Sequence, residues 1–540
     1  MSRPAFERCL ATTMASGVAA YPRLSEAEKA LTDGRLDAAS AMVIRHLREN
    51  KNEPRGFALL GSIAFKTGAL VQAEQFLRRA IALGSRSLEV QRELASVLHH
   101  QERLADALSA FSVLQQHMTG PEIRSAKALI LDKLGRGPEA LREHEELVTQ
   151  NPNHPRMLMA YGNGLRWAGR NDEAIETFRR AVASDPEYGD AWWALANIKA
   201  KVLTDEDIAT MKASLEIAID ERNIIPLHFA LGRGLHDRHH YEDAFTHYET
   251  ANRLRNETIK YKPEDLSAEV DQVKVLFESD FFRQADQRGP TNDPTPVFLI
   301  SMPRAGSTLL EQMLDQHPDI EAVGELPYVR AILRSALEIH TQRKPTTVPQ
   351  LVREMSPQEA RTYGQDYMHR ASLHWKTRPR YFVDKMPMNW TEVPFIRRIL
   401  PRARFIGIRR NAMDCCFSNY IHYFSRAHSS SFSLRGIGRA YVDYVRMMDH
   451  LSAVAPELIH NVSYEELIVE PEPILRKALD HLSLGWDPAL LRFYESKRIV
   501  RTPSVEQVHR PLNRSGIGTW KPYEQWLGPL KEALGPLAEA

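Results

Sequence analysis

The 540-residue chain is predicted to be an α-helical solenoid followed by an α/β domain with a central parallel sheet. Three observations predict it. Turn-forming residues recur through the first half at steps of 34, 34, 33 and 34 residues, at Gly34, Gly68, Glu102, Gly135 and Gly169. Short apolar runs alternate with helical patterns through the second half. Between them lies a Pro/Gly-rich break, Gly289-Pro290-Thr291-Asn292-Asp293-Pro294-Thr295-Pro296.

The bulk properties bound the answer. The chain is too long for one ordinary domain, which spans about 100–200 residues. A net charge of +1 and a hydrophobic fraction of 43% describe an ordinary soluble protein and argue against a nucleic-acid surface. Three cysteines (Cys9, Cys415 and the adjacent Cys416) cannot make a disulfide framework and suit a reducing compartment. The start, Met1 to Glu7, has no apolar h-region behind it, and no apolar run is long enough to span a bilayer. A cytoplasmic location, with no membrane contact, is the expectation.

The repeat occupies residues 24–255. Five residues beyond each turn position comes an alanine: Ala39, Ala73, Ala107, Ala140 and Ala174. The period is that of the tetratricopeptide helix-turn-helix, in which the alanine lets paired helices approach closely. The clearest copy runs Leu158, Tyr161-Gly162, Leu165, Gly169, Ala174, Phe178, Ala181, Pro186; a last copy holds Leu231-Gly232, Ala244, Tyr248 and Ala251. The stretch Asp190 to Pro226 reads as a degenerate repeat with a lengthened turn. Such solenoids commonly grip a peptide or protein on the concave face, so a partner or acceptor is expected there.

Residues 256–292 read as a helical linker, with one helix from Lys262 to Gln287, and residues 293–540 as the α/β domain. Its predicted strands are Val297–Ile300, Tyr381–Val383, Arg404–Ile408 and Leu458–Val462, with helices after the first, from about Ala412, and from about Pro473 to Leu482. The segment Arg330 to Arg380 is helical in pattern, with Ser356-Pro357-Gln358-Glu359 as a capping box, and is a candidate cover for an acceptor site. In open α/β sheets ligands bind beyond the carboxyl ends of the strands. Arg304, Lys385, Arg410 and Tyr464 all fall there.

The loop Pro303-Arg304-Ala305-Gly306-Ser307-Thr308 joins a strand to a helix and aims backbone N–H groups and a helix dipole at one point, a way to hold phosphate or sulfate. It lacks the first glycine and the lysine of a Walker A loop. Arg304 supplies planar fixed charge instead.

These residues resemble the 5′-phosphosulfate loop of sulfotransferases that use 3′-phosphoadenosine 5′-phosphosulfate (PAPS). Ala305 and Ser307 depart from the usual P-R-S-G-T-T; Ser307 keeps the hydroxyl. Arg410-Asn411-Ala412-Met413-Asp414-Cys415-Cys416-Phe417-Ser418 resembles the family's 3′-phosphate motif, and Tyr464 matches its adenine-stacking aromatic. The whole chain resembles the repeat-containing sulfotransferases of bacteria, with a catalytic half similar to protein-tyrosine sulfotransferases and a P-loop-like fold.

The resemblance implies sulfonate transfer from PAPS to an acceptor hydroxyl. Arg304, Ala305, Gly306, Ser307 and Thr308 would hold the phosphosulfate, Arg410 and Ser418 the 3′-phosphate, and Tyr464 the adenine. Lys385, in Asp384-Lys385-Met386-Pro387, would assist departure, and Glu325 would be the base, with His317, His374 and His422 as alternatives. Thr502 to Tyr523 resembles the closing segment, from which Arg510 or Lys521 would add charge. No metal-ligand spacing is present, and none is required where no triphosphate is neutralised. The acceptor stays open between a peptide tyrosine, a sugar and a small metabolite. A phosphotransferase on the same core, or a repeat adaptor with an inactive nucleotide-binding half, are the alternatives.

Overall fold

The computed structural model describes residues 22–198, 201–284, 293–425, 427–496, 498 and 510–539. The chain divides into two compact units: Met1–Gln150 with Arg330–Val348, and Asn151–Val329 with Pro349–Ala540.

The first unit is built of helix pairs: Pro22–Thr32 with Leu36–Glu49, Pro54–Thr67 with Leu70–Ala82, Leu88–His100 with Leu104–Leu114, and Pro121–Lys133 with Gly137–Gln150. The periodic turn residues have a physical job. Gly34, Gly68 and Gly135 take left-handed φ of 76°, 82° and 79°. The next residue then donates back to the carbonyl five positions earlier, Arg35 N to Ala30 O at 2.8 Å and Ala69 N to Ala64 O at 2.9 Å. This closes the orphan carbonyls of each first helix. Glu102 makes the same closure, at φ 56°, without being glycine. Ala39, Ala73, Ala107 and Ala140 are fully buried between paired helices. The segment 330–348 belongs to this unit, where the Glu338 carboxylate accepts from Val71 N and Gln72 N, both at 3.0 Å. It caps a helix whose own N-cap residue, Ala69, has no side-chain acceptor.

The second unit begins with helices Pro155–Trp167 and Asn171–Ser184, where Gly169 and Ala174 repeat the pattern. The irregular stretch becomes a short helix, Gly189–Ala196, and a second, Asp205–Ile217, opened by a capping box between Thr204 and Asp207. Helices Glu221–Asp237 and Tyr241–Ile259 pack on each other as the next pair. The expected single linker helix is two, Pro263–Leu276 and Ser279–Gln284, broken at buried Phe277; residues 285–287 lie outside the described residues.

The sheet has five parallel strands: β1 (Thr295–Ile300), β2 (Ile320–Gly324), β3 (Tyr381–Asp384), β4 (Arg404–Arg409) and β5 (Ile459–Ser463), in the order β2-β3-β1-β4-β5. β1 is central, and Val297, Phe298, Leu299 and Ile300 are wholly buried. The chain leaves β1 for β2 and β3 on one side, then crosses to β4 and β5 on the other, so the order reverses beside β1, the place beyond whose carboxyl end open α/β sheets bind ligands. The sequence pattern missed β2, an edge strand with half-exposed Glu321, Val323 and Gly324 and no continuous apolar run. It also missed helix Leu434–Val454. Helices Tyr328–Thr341, Val348–Glu354 and Pro357–Ala371 fill the segment read as helical, the last with its capping box.

Candidate functional site

The loop after β1 makes its turn with two left-handed residues, Arg304 at φ 65° and Gly306 at φ 98°. Helix Ser307–Leu314 then opens with Gly306 as N-cap, a residue with no side chain to cap it. Ala305, Ser307 and Thr308 are buried. Tyr464, at the end of β5, lies against this turn; a Cβ on Gly306 would stand 2.4 Å from its ring.

Arginines gather at the same place. Arg304 Nε donates to Ser418 Oγ at 3.3 Å. Arg410, past the end of β4, donates from Nη1 to Arg304 O at 2.7 Å and from Nη2 to Gly516 O. Its guanidinium stands 5.2 Å from the centre of the Tyr464 ring, and its Nε is buried with no partner among the described residues. Asn419 Nδ2 donates to Pro303 O at 2.7 Å, tying helix Ala412–Tyr420 to the loop. Burial, then the charges of Arg410 and Arg233, lower the Arg304 pKa to about 10, so it stays cationic at neutral pH. Asp414 stands 3.9 Å from Arg410 but already accepts from Gly518 N, Thr519 N and Thr519 Oγ1 at 2.7, 2.8 and 2.9 Å. Two neighbouring guanidiniums, one with an orphaned buried N–H, suit an anion.

The other half of the site lies across β1. Lys385 follows β3, is 1% exposed, and pairs with the Glu325 carboxylate, which follows β2. Lys385 N also donates to Gly324 O at 2.9 Å. Asp384, wholly buried, accepts from Leu326 N at 3.3 Å and Tyr367 Oη at 2.8 Å. Burial raises its pKa to about 7, against the pull of those two hydrogen bonds. Glu311 accepts from Gly324 N at 3.1 Å and Arg498 Nη2 at 2.8 Å.

Sequence reasoning assigned no role to Asp384, Asp414, Glu311 or Arg498. The first two stood inside motifs already quoted; Glu311 and Asp315, spaced i, i+4 on one helix, carried a faint signal. The histidines are engaged elsewhere. His317 sits 3.1 Å from Gly485 O through Nε2 and accepts from Asp319 N through Nδ1. His374 meets Tyr328 Oη at 2.6 Å, and His422 packs edge-on against Trp193 and Phe424. Residues 502–509 of the closing segment lie outside the described residues; Arg510 and Lys521 are exposed. Cys415 and Cys416 are buried thiols in helix Ala412–Tyr420. Among the described residues no group of three or more His, Cys, Asp or Glu could hold a metal ion, and no helix is long and apolar enough to cross a membrane.

Residues 296–488 match the Sulfotransferase family, and residues 14–185 the Tetratricopeptide repeat family. The second half carries a sulfotransferase-superfamily domain. An uncharacterised protein of Aquifex aeolicus (strain VF5) is 30% identical over 421 residues, 77% of this chain and 54% of its own length. The protein-tyrosine sulfotransferase of Drosophila melanogaster is 24% identical over 234 residues, 42% of this chain and 46% of that protein. Protein-tyrosine sulfotransferase 1 of Danio rerio is 24% identical, over 42% of this chain and 65% of that one. The chain thus spans about half the length of the curated relatives it matches. Among solved structures, the sulfotransferase domain from the Synechococcus PCC 7002 olefin synthase is 23% identical, with a TM-score of 0.29, covering 44% of this chain and 90% of that one. YrrB, a TPR protein with an unusual peptide-binding site, is 18% identical, with a TM-score of 0.30, covering 36% and 98%. The chain is therefore a tetratricopeptide-repeat region joined to a sulfotransferase-superfamily domain, homologous at low identity to protein-tyrosine sulfotransferases.

Proposed function

We propose that this protein transfers a sulfonate from PAPS to an acceptor hydroxyl. The observation that carries the reading is the linked set Arg304, Ser418 and Arg410, with the Lys385–Glu325 pair at neighbouring strand ends of the same sheet. The left-handed turn and the helix start that follows Gly306 suit the phosphosulfate, held by Arg304, Gly306, Ser307 and Thr308. Arg410, through its orphaned Nε, and Ser418 take the 3′-phosphate. The donor supplies the sulfuryl group and a phosphate leaving group. The acceptor oxygen attacks sulfur, the bridging S–O bond breaks, and the electron pair leaves on the phosphate of 3′,5′-phosphoadenosine. Glu325 takes the hydroxyl proton, and Lys385 offsets the charge that develops on the leaving oxygen. Tyr464 enters chiefly as a brace, since its contacts on Gly306 and Arg410 hold both anion-binding groups in place.

The named relatives support a tyrosine-bearing peptide as acceptor, ahead of a sugar or small metabolite, with the repeat array recruiting it or a partner protein. The test is incubation of the purified protein with sulfur-35-labelled PAPS and cell extract. Label is expected in a macromolecular or small product, and to be lost with Lys385→Ala. Tight nucleotide binding with no labelled product in any extract would favour an inactive adaptor.

A further inference from the structure

Helix Glu221–Asp237 belongs to the repeat array, yet one stripe of it faces the α/β domain. The Phe229 ring centre is 5.3 Å from that of Tyr423, and His236 stacks on Tyr523, with Nδ1 2.7 Å from its hydroxyl. Positions 229, 233 and 236 follow the i, i+4, i+7 spacing of one helix face. Arg233 is the middle of that stripe. Its two ends touch residues just past helix Ala412–Tyr420 and the segment at Tyr523. The neighbouring helix fixes the register, since Asn252 Nδ2 donates to Tyr420 O at 3.0 Å, two residues beyond Ser418. Ser418 is the hydroxyl that Arg304 holds. Arg233 pairs at 3.2 Å with Asp237, one turn along its own helix. Its charge acts on Arg304, joining burial and Arg410 in lowering that group's pKa.

We propose that Arg233, a residue of the last repeat, supplies a third guanidinium to the 3′-phosphate pocket, so that nucleotide binding engages the repeat array directly. The inference rests on the nucleotide reading above. Three guanidiniums around one site repel one another, and a phosphate dianion relieves that repulsion. The C-terminal candidates are poorer sources, because Arg510 and Lys521 are exposed to solvent.

The test is calorimetry on the full-length protein with 3′,5′-phosphoadenosine and with adenosine 5′-phosphate, which lacks the 3′ group. Arg233→Gln is expected to weaken the first by about tenfold or more, as for loss of a charged hydrogen bond, and to leave the second little changed. Arg233→Lys should recover part of the loss, and ligand-free melting should stay where it was. Asp237→Asn, which releases Arg233 from its carboxylate, should tighten 3′,5′-phosphoadenosine. Equal affinity of wild type and Arg233→Gln for 3′,5′-phosphoadenosine overturns the proposal. If Arg233→Gln does not fold, unchanged binding in Asp237→Asn overturns it. A wild type that fails to discriminate the two ligands removes the nucleotide reading itself, a result distinct from discrimination that survives Arg233→Gln.

Discussion

The repeat turns and the loop after β1 use the same left-handed backbone for different ends. At Gly34, Gly68, Gly135 and Gly169 nothing lies within 4 Å of where a Cβ would be. Those glycines only close a helix, and Glu102 manages the same turn at some strain. Gly306 has the same sign of φ, but Tyr464 from the far end of β5 covers it at 2.4 Å from that Cβ position. One requirement is local and repeats along the chain. The other is set by a residue remote in sequence, as a site assembled from several strand ends must be.

The largest expected effect concerns where the repeats stop being separable. A chain beginning at Asp271 loses His236, Phe245 and Asn252, which cover Tyr523, Trp526 and Tyr420. It is expected to aggregate; a soluble monomer with a cooperative melt would break the view that the last repeat belongs with the α/β domain.

Next comes chemistry. Glu325→Gln keeps the shape and removes the proton acceptor, and turnover should fall by about 10²–10⁴-fold. Binding of 3′,5′-phosphoadenosine should hardly move, measured by calorimetry alongside the rate. Full turnover would assign the base elsewhere.

The two glycines can be set directly against each other. Gly68→Ala should cost about 1 kcal/mol, from φ strain alone, in denaturant unfolding. Gly306→Ala adds the collision with Tyr464 and should cost more and abolish nucleotide binding. Equal costs, with binding intact in both, would erase the distinction.

Asp384 gives a pH signature. Its folded pKa of about 7 lies above the ordinary 3.8, so between these values the native state keeps a proton that the unfolded chain has lost. Stability should therefore fall as pH rises through that window, and Asp384→Asn should flatten the trend in melting temperature. An unchanged slope in the variant would contradict the burial argument.

The smallest effect is Glu102→Gly. Relief of the left-handed backbone should stabilise the chain by about 1 kcal/mol, less whatever the 2.7 Å pair with Lys133 contributes, typically about 0–1 kcal/mol. A lower melting temperature would mean the ion pair outweighs the strain.

These differences explain what the sequence could disclose. The repeat was legible because each turn and alanine is fixed by its own neighbours, at a constant spacing. Four of the five strands were legible from apolar runs, whereas β2, half-exposed at the edge, offered none. The loop at Arg304 and the segment at Arg410 were readable as motifs. Their joining through Ser418 was not, nor was the clamping of Gly518 and Thr519 by Asp414, because each contact spans about a hundred residues. Arg233 was hidden for the same reason: within its own helix it is an ordinary polar position paired with Asp237.

The central claim is that the arginine cluster at the carboxyl edge is a pocket for a 3′-phosphorylated nucleotide. Calorimetry on the intact protein, with chelator present, tests it most directly by comparing 3′,5′-phosphoadenosine with adenosine 5′-phosphate. The 3′-phosphate is expected to tighten binding by about tenfold or more without metal. Equal affinities for the two would contradict it.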